Sequence, residues 1–381
     1  MKIFKPKNDL PLMQENEGIV LFRPHIPKNA LSNIESVLNS RWIGQGPKVE
    51  EFESKFKSRL NLSHTTVAVG SGTDALHLSY ILAGLGAGDD VLTPLFTCTA
   101  TNTPLLSMGI KPRFIDVDKK TMNISIDDLK KKINERTKAI VCVHYGGLPC
   151  DMNEINAIAS QYNIPVIEDA AHSLGALYDN KPVGDLSDFT MFSFQAIKHI
   201  TTGDGGMLTI KNSNLEDKCR RIRWFGISRE KKQLGIWDND ITEVGYKYTM
   251  TDLSAALGLA ALEELDYIIE KRRELYKRYC ENLRDFSDVT IVDDFNSNKT
   301  HACWLFTILV NNRKSLQKKL RELGIESGQT HFRNDRYSVF NDKNEYPNMD
   351  EIDDKYLILP LHTHLNLDQI DYICESIKSG W

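Results

Sequence analysis

Between Ile164 and Gly206 the chain twice runs apolar and then reaches a charged residue that a buried strand would carry to the rim of a sheet. Pro165, Val166 and Ile167 lead into Glu168 and Asp169. Thr190, Met191, Phe192, Ser193 and Phe194 precede Lys198, and the segment continues into the turn Gly203-Asp204-Gly205-Gly206. Short apolar runs bounded in this way are the pattern of parallel strands covered on both faces. Open α/β sheets bind their ligands at the rim where such strands end. An acid and a lysine delivered there are placed to share one ligand.

Pyridoxal 5′-phosphate (PLP) chemistry needs this set of groups: a lysine amine for the Schiff base, an acid against the pyridine nitrogen, and donors for the phosphate. A carboxylate at Asp169 would keep the ring nitrogen protonated, so that the ring accepts the electron pair left when a proton departs from substrate carbon. Lys198, once displaced by an incoming amine, would be free to carry a proton between two carbons. Phosphate donors are expected at Gly70-Ser71-Gly72-Thr73-Asp74, which turns from the strand Val67–Val69 directly into the helix Ala75–Leu82. Unpaired N–H groups and hydroxyls at such a turn suit an anion, although the same residues also cap helices for purely structural reasons.

Strands and helices alternate along the first two thirds of the chain. Strands are expected at Asp90–Pro94, Lys111–Asp116, Ala139–His144 and Met207–Ile210, and helices at Pro27–Leu38, Val49–Leu60, Phe96–Asn102, Ile126–Ile133, Met152–Tyr162, Leu215–Phe225 and Leu253–Leu262. Alternation of this kind predicts right-handed crossovers and a mostly parallel sheet. Thr251 or Asp252 would cap the helix that follows. A long charged helix, Glu263–Leu283, bridges to a region of α+β pattern with a strand at Ala302–Val310, helices at Arg313–Leu323 and Leu367–Ile377, and the segment Leu357–His362. The domain reading is a peripheral segment 1–22, a large domain 23–262 and a small C-terminal domain 263–381, which suits a chain of 381 residues.

A formal charge of −5 and the lack of a basic stripe argue against a nucleic-acid partner. The seven cysteines are scattered without a C-x-x-C pair, which reads as free thiols in a reducing cytoplasm and not as a zinc or disulfide framework. No apolar run reaches membrane-spanning length and Met1–Gly18 has no apolar signal core, so a cytoplasmic protein without a membrane partner is expected. No G-x-G-x-x-G follows the first strand, which weakens a nicotinamide-binding reading.

Taken together the motifs resemble those of the DegT/DnrJ/EryC1/StrS sugar aminotransferases. They are W-I-G-Q-G-P from Trp42, G-S-G-T-D-A-L from Gly70, E-D-A-A-H-S-L-G-A from Glu168, F-S-F with lysine five residues after Ser193, G-D-G-G, and G-Y-K-Y before D-L-S-A-A-L-G. The resemblance runs from about Arg23 to Ile377 and implies the PLP-dependent transferase fold type I, aspartate-aminotransferase-like. It implies Lys198 as the Schiff-base lysine, Asp169 as partner of the pyridine nitrogen, and His172 near the cofactor's phenolic oxygen. Gly72, Thr73 and Ser193 match phosphate-binding positions. Lys247 matches a position, commonly asparagine, that reaches the same phosphate from a neighbouring subunit, so a homodimer with shared active sites is implied. Cys98 stands where the family usually has an aromatic side chain on the cofactor ring, so ring stacking would come from elsewhere. Family members that dehydrate sugars carry histidine at the place of Lys198, and lysine favours transamination.

The activity so implied is transfer of an amino group from L-glutamate to a keto group of a nucleotide-linked sugar. The segment Arg41–Pro47, with Trp42 and Gly44 as substrate contacts, is similar to that of members acting at carbon four of a 4-keto-6-deoxy sugar. His331, Arg333 and Arg336 are candidates for the nucleotide diphosphate, since arginine forks match phosphate oxygens; a charged surface loop is the other reading. Carbon-three amination, a PLP-dependent dehydration, a nicotinamide-dependent dehydrogenase, and a non-catalytic protein binding PLP or a sugar nucleotide are the alternatives.

Overall fold

The computed structural model describes residues 4, 6–7, 9–238, 240–296 and 298–381. Its centre is a seven-stranded sheet of β1 (Thr65–Val69), β2 (Asp90–Pro94), β3 (Lys111–Ile115), β4 (Thr137–Val143), β5 (Val166–Asp169), β6 (Phe189–Ser193) and β7 (Gly206–Ile210), in the order β1-β7-β6-β5-β4-β2-β3. The neighbours from β6 through β3 pair in parallel, and β7 pairs antiparallel with both β6 and β1. Residues 194–205 join β6 to β7 as a loop with no helix of its own, a connection that suits an antiparallel pair.

Helices cover both faces. On one, α2 (Pro47–Arg59) sets Phe52 and Phe56 edge-on against Phe194 and Phe192, both at 5.3 Å. On the other, Leu76 and Tyr80 of α3 (Gly72–Leu82) pack with Val67, Val69, Met191 and Leu208. Neighbouring residues of one strand thus enter opposite cores, Phe192 one and Met191 the other, as the strand period requires. The expected face of Val49–Leu60 is observed with Val49, Phe52 and Phe56 buried and Leu60 partly so.

Three expectations change. The helix predicted over Phe96–Asn102 begins only at Thr99, as α4 (Thr99–Ser107); Phe96 and Thr97 instead pair antiparallel with Arg333 and Phe332. Pairing wins because Phe96 buries its ring against Tyr145 and Tyr356. Residues 1–3, 5 and 8 of the segment read as peripheral lie outside the described residues, and its later part is not peripheral: Met13, Val20 and Leu21 are buried, and the Glu326 carboxylate accepts the N–H groups of Met13 and Leu21. The helix expected from Pro27 starts at Ala30, as α1 (Ala30–Leu38).

Of the two expected caps, Thr251 is the one that caps α5 (Asp252–Glu263), its hydroxyl accepting the Ser254 N–H at 3.1 Å. Asp252 caps a different helix. Its buried carboxylate accepts the N–H groups of Gly46, Lys48 and Val49 at 2.7, 3.1 and 3.2 Å, closing the start of α2 from more than 200 residues away. A carboxylate at a helix N-terminus also meets the positive end of the helix dipole.

Beyond α6 (Leu265–Leu283) the chain builds a second, antiparallel sheet of β8 (Val289–Ile291), β9 (Phe306–Val310) and β10 (Tyr356–Leu359). Its core, with Tyr279, Leu316, Ile370 and Ile373, is shared with α6, α7 (Arg313–Glu322) and α8 (Leu367–Lys378). Asp252→Ala takes the acceptor from the Gly46 and Lys48 N–H groups and leaves the Val49 N–H only the Gly46 carbonyl at 3.3 Å. Chemical denaturation should show a loss of about 1–3 kcal/mol, an effect that Thr251→Ala approaches only at the lower end.

Candidate active site

A cavity of about 370 Å³ opens where β5 and β6 end, and Gly72, Thr73, Cys98, Asp169, His172, Ser193, Lys198 and His331 all line it. Eight residues singled out from the sequence are therefore brought together. Trp42, Gly44, Lys247, Arg333 and Arg336 are not among its lining. The Trp42 ring lies beneath the Arg41 guanidinium, and the Gly44 carbonyl accepts the Asp252 N–H. Lys247 is exposed, with its ammonium 5.6 Å over the Phe225 ring. Arg333 is held by the carboxylates of Asp335, at 2.7 Å, and Asp350. Arg336 lies over the rings of Phe4 and Phe332.

The loop 194–205 presents Lys198. Its base is pinned by the Phe194 N–H on the Gly205 carbonyl and the Thr202 N–H on the Phe194 carbonyl, and Gly203 supplies a φ of +81° at the turn. Lys198 is half-buried, with its amine 3.7 Å over the Trp304 ring. Burial pulls its pKa down to about 8, against the opposing pull of Asp169. Near neutrality the amine is thus far closer to its free-base form than a surface lysine.

Asp169 ends β5 and is buried. Burial raises its pKa, and the hydroxyl of Thr101, the Ala171 N–H and Lys198 counter that rise. The Thr101 hydroxyl donates to Oδ2 at 2.7 Å and the Ala171 N–H to Oδ1 at 3.1 Å.

His172 stacks on Trp304 with centroids 3.9 Å apart, and its Nε2 lies 3.2 Å from Nε2 of His331. Burial and then the Lys198 charge hold both imidazoles down, His331 to about 3 and His172 well below its usual value, so both rings are neutral. One hydrogen serves the contact, so one Nε2 donates and the other accepts. The Nδ1 of His172 is buried without a partner among the described residues.

The chain matches the model of the DegT/DnrJ/EryC1/StrS aminotransferase family over residues 24–378. It is 33% identical to GDP-perosamine synthase of Escherichia coli O157:H7, over 94% of this chain and 98% of that protein. It is 32% identical to the UDP-4-amino-4-deoxy-L-arabinose--oxoglutarate aminotransferase of Shewanella sediminis, over 95% of this chain and 98% of that one. Among solved structures, Spr1654 of Streptococcus pneumoniae in its PLP form superposes with a TM-score of 0.85 at 27% identity, covering 95% of this chain and 98% of that chain. The chain belongs to the DegT/DnrJ/EryC1/StrS aminotransferase family.

The protein is, with that family, a PLP-dependent sugar aminotransferase. Its cavity fits the cofactor. The N-terminus of α3 offers Ser71, Gly72 and Thr73 to a phosphate, and a Cβ on Gly72 would press on the Met191 sulfur at 3.0 Å and the Ser193 Cβ at 3.1 Å. Asp169, Lys198 and His172 line the remaining space.

Two lining or supporting residues escaped the sequence reading. Trp304 comes from the second unit, in a run where Ala302, Cys303, Leu305 and Phe306 are equally buried, so no periodicity marks it. Thr101 sits in the first turn of α4 and looks like any small polar helix residue. In the cofactor-free protein, acetylation of Lys198 followed by mass spectrometry should reach half its limiting rate near pH 8, about two units below surface lysines. Asp169→Asn removes the carboxylate that supports the ammonium, so that midpoint should fall further.

Proposed function

We propose that the enzyme moves the amino group of L-glutamate to a keto group of a nucleotide-linked sugar, at carbon four of a 4-keto-6-deoxy ring. The observation that carries this is the approach of the depressed-pKa amine of Lys198 and the buried carboxylate of Asp169 to one cavity beside an anion-binding helix start. Two relatives support the substrate: one is named for a GDP-linked amino sugar and the other for a UDP-linked 4-amino-4-deoxy sugar with oxoglutarate, the keto partner of glutamate.

Bound here, PLP supplies an aldehyde that takes up the amino group and a ring that accepts an electron pair from the substrate carbon. Lys198 would hold the cofactor at rest and, as a free amine, would carry the proton to and from the substrate carbon in both halves of the transfer. Its lowered pKa leaves the free base available for that work. Asp169 would hold the ring nitrogen and keep its proton in place, His172 would lie near the phenolic oxygen, and Gly72, Thr73 and Ser193 would hold the phosphate. Trp304, one face under Lys198 and stacked on His172, keeps water from the amine and fixes the imidazole plane.

The working unit is a homodimer. Leu234, Trp237 and Val244 are exposed at 80%, 72% and 78%, and they stand on the segment that also carries Lys247. Exposed apolar side chains on this segment support an interface there, and in the proposed dimer Lys247 would serve the partner's cavity. The small domain begins with the bridging helix, near residue 263.

An absorption spectrum of the protein with PLP, before and after L-glutamate, tests the chemistry. A visible band that disappears with glutamate and is missing in Lys198→Ala is the expected result; a band insensitive to glutamate overturns the donor. Sedimentation of Leu234→Asp/Trp237→Asp should show a monomer with at least tenfold less activity, since a loss of about 1.4 kcal/mol suffices for that.

A further inference from the structure

The Asp169 carboxylate is reached by a directed chain of hydroxyls. The Thr101 hydroxyl donates to Oδ2 at 2.7 Å, and Thr101 Oγ1 lies 2.8 Å from Thr97 Oγ1. A hydroxyl carries one hydrogen, so Thr101, having given its own to the carboxylate, accepts from Thr97. The chain therefore runs one way, Thr97 to Thr101 to Asp169. Tyr80 locks its middle by donating to the Thr101 backbone carbonyl at 2.8 Å. Thr97, Thr101 and Tyr80 are all buried, so the bonds lie in a low-dielectric setting that strengthens them. The same helix turn is tied down a second time by Asn102, which donates to the Pro94 carbonyl and the Asn334 side chain and accepts from Thr93 at 2.5 Å.

We propose that Thr101, backed by Thr97, is a positioning residue that keeps Asp169 charged and oriented toward the cofactor's ring nitrogen, and so sets the acid limit of cofactor retention. The proposal rests on the PLP reading of the cavity and on Asp169 as the nitrogen's partner. Lys198 from the loop after β6, Cys142 from β4, His144 just after β4, and Tyr80 from α3 are titratable groups that also act on Asp169 or feel its charge. Each is unchanged when only Thr101 is altered. Thr101→Val is close to isosteric and removes the hydroxyl, which is both the donor to Asp169 and the acceptor for Thr97. The sign follows: a buried carboxylate that loses a donor to its charged form protonates at a higher pH.

The test uses two readouts. In cofactor-free protein with ¹³C-labelled aspartate, the Asp169 carboxyl resonance, assigned by its loss in Asp169→Asn, is titrated in wild type, Thr101→Val, Thr101→Ser and Thr97→Val. In parallel, PLP retention is measured by equilibrium dialysis between pH 5 and 9. Thr101→Val should raise the carboxyl midpoint by about one unit and weaken PLP binding about tenfold at the acid end; Thr97→Val should move both in the same direction by less, and Thr101→Ser should restore wild-type values. A Thr101→Val protein that unfolds normally in a thermal melt but titrates as wild type overturns the proposal. Failure of the wild type to bind PLP would overturn the functional reading, while the carboxyl titration still decides the role of Thr101.

Discussion

No side chain fits at Gly206. A Cβ there would lie 2.5 Å from the Ser71 carbonyl oxygen and 2.8 Å from the Gly72 nitrogen. The start of α3 is therefore pressed directly on the backbone of the β6–β7 pair, and everything in the cavity takes its place from that contact. Gly206 pairs with Ser193, so the same two strands set the Ser193 hydroxyl beside Gly72 and hold both ends of the loop that bears Lys198. The anion-binding end and the amine are thus fixed relative to each other by main chain, which is stiffer than any side-chain contact.

Charge inside this frame is arranged as a compromise. Burial alone would neutralise both Asp169 and Lys198, raising one and lowering the other, and each is the other's counterweight. Removing either would push its partner toward the uncharged form. The acid has a further device in the donors from Thr101 and Ala171, whereas the amine lies over the face of Trp304 with Cys98 as a lesser support. This asymmetry suits the work proposed for each: the acid stays charged, and the amine gives up its proton near neutral pH. His172 and His331, kept neutral beside them, add no charge that would disturb the pair.

Legibility from sequence followed the range of the interactions. β5, β6 and the start of α3 could be read because an apolar run ending in a functional residue is a local pattern. Lys198 and Asp169 were visible for the same reason, with the family motifs assigning their roles. The cap of α2 was invisible because its acceptor, Asp252, lies on another helix, and local capping logic could only offer that residue to its own helix. Phe96 and Thr97 were misread as helix because the strand that claims them, Phe332–Arg333, is remote in sequence. For Arg333 the sequence offers phosphate contact or a charged surface loop, and its fork faces Asp335 and Asp350, an arrangement no spacing rule announces.

That remote pairing also explains how two separate cores come to share one cavity. Because Thr97 pairs with Phe332, His331 is drawn to the mouth of the large sheet, where it meets His172. The second tether is Arg272 of α6, whose buried guanidinium donates to the carbonyls of Trp304 at 3.3 Å and Leu361 at 2.9 Å, while the Trp304 indole donates to the Ile197 carbonyl at 3.0 Å, one residue before the lysine. A shift of the C-terminal unit would therefore drag the indole across Lys198 and the imidazole pair together. The amine's surroundings are set by the docking of the two units as much as by the strand that delivers it.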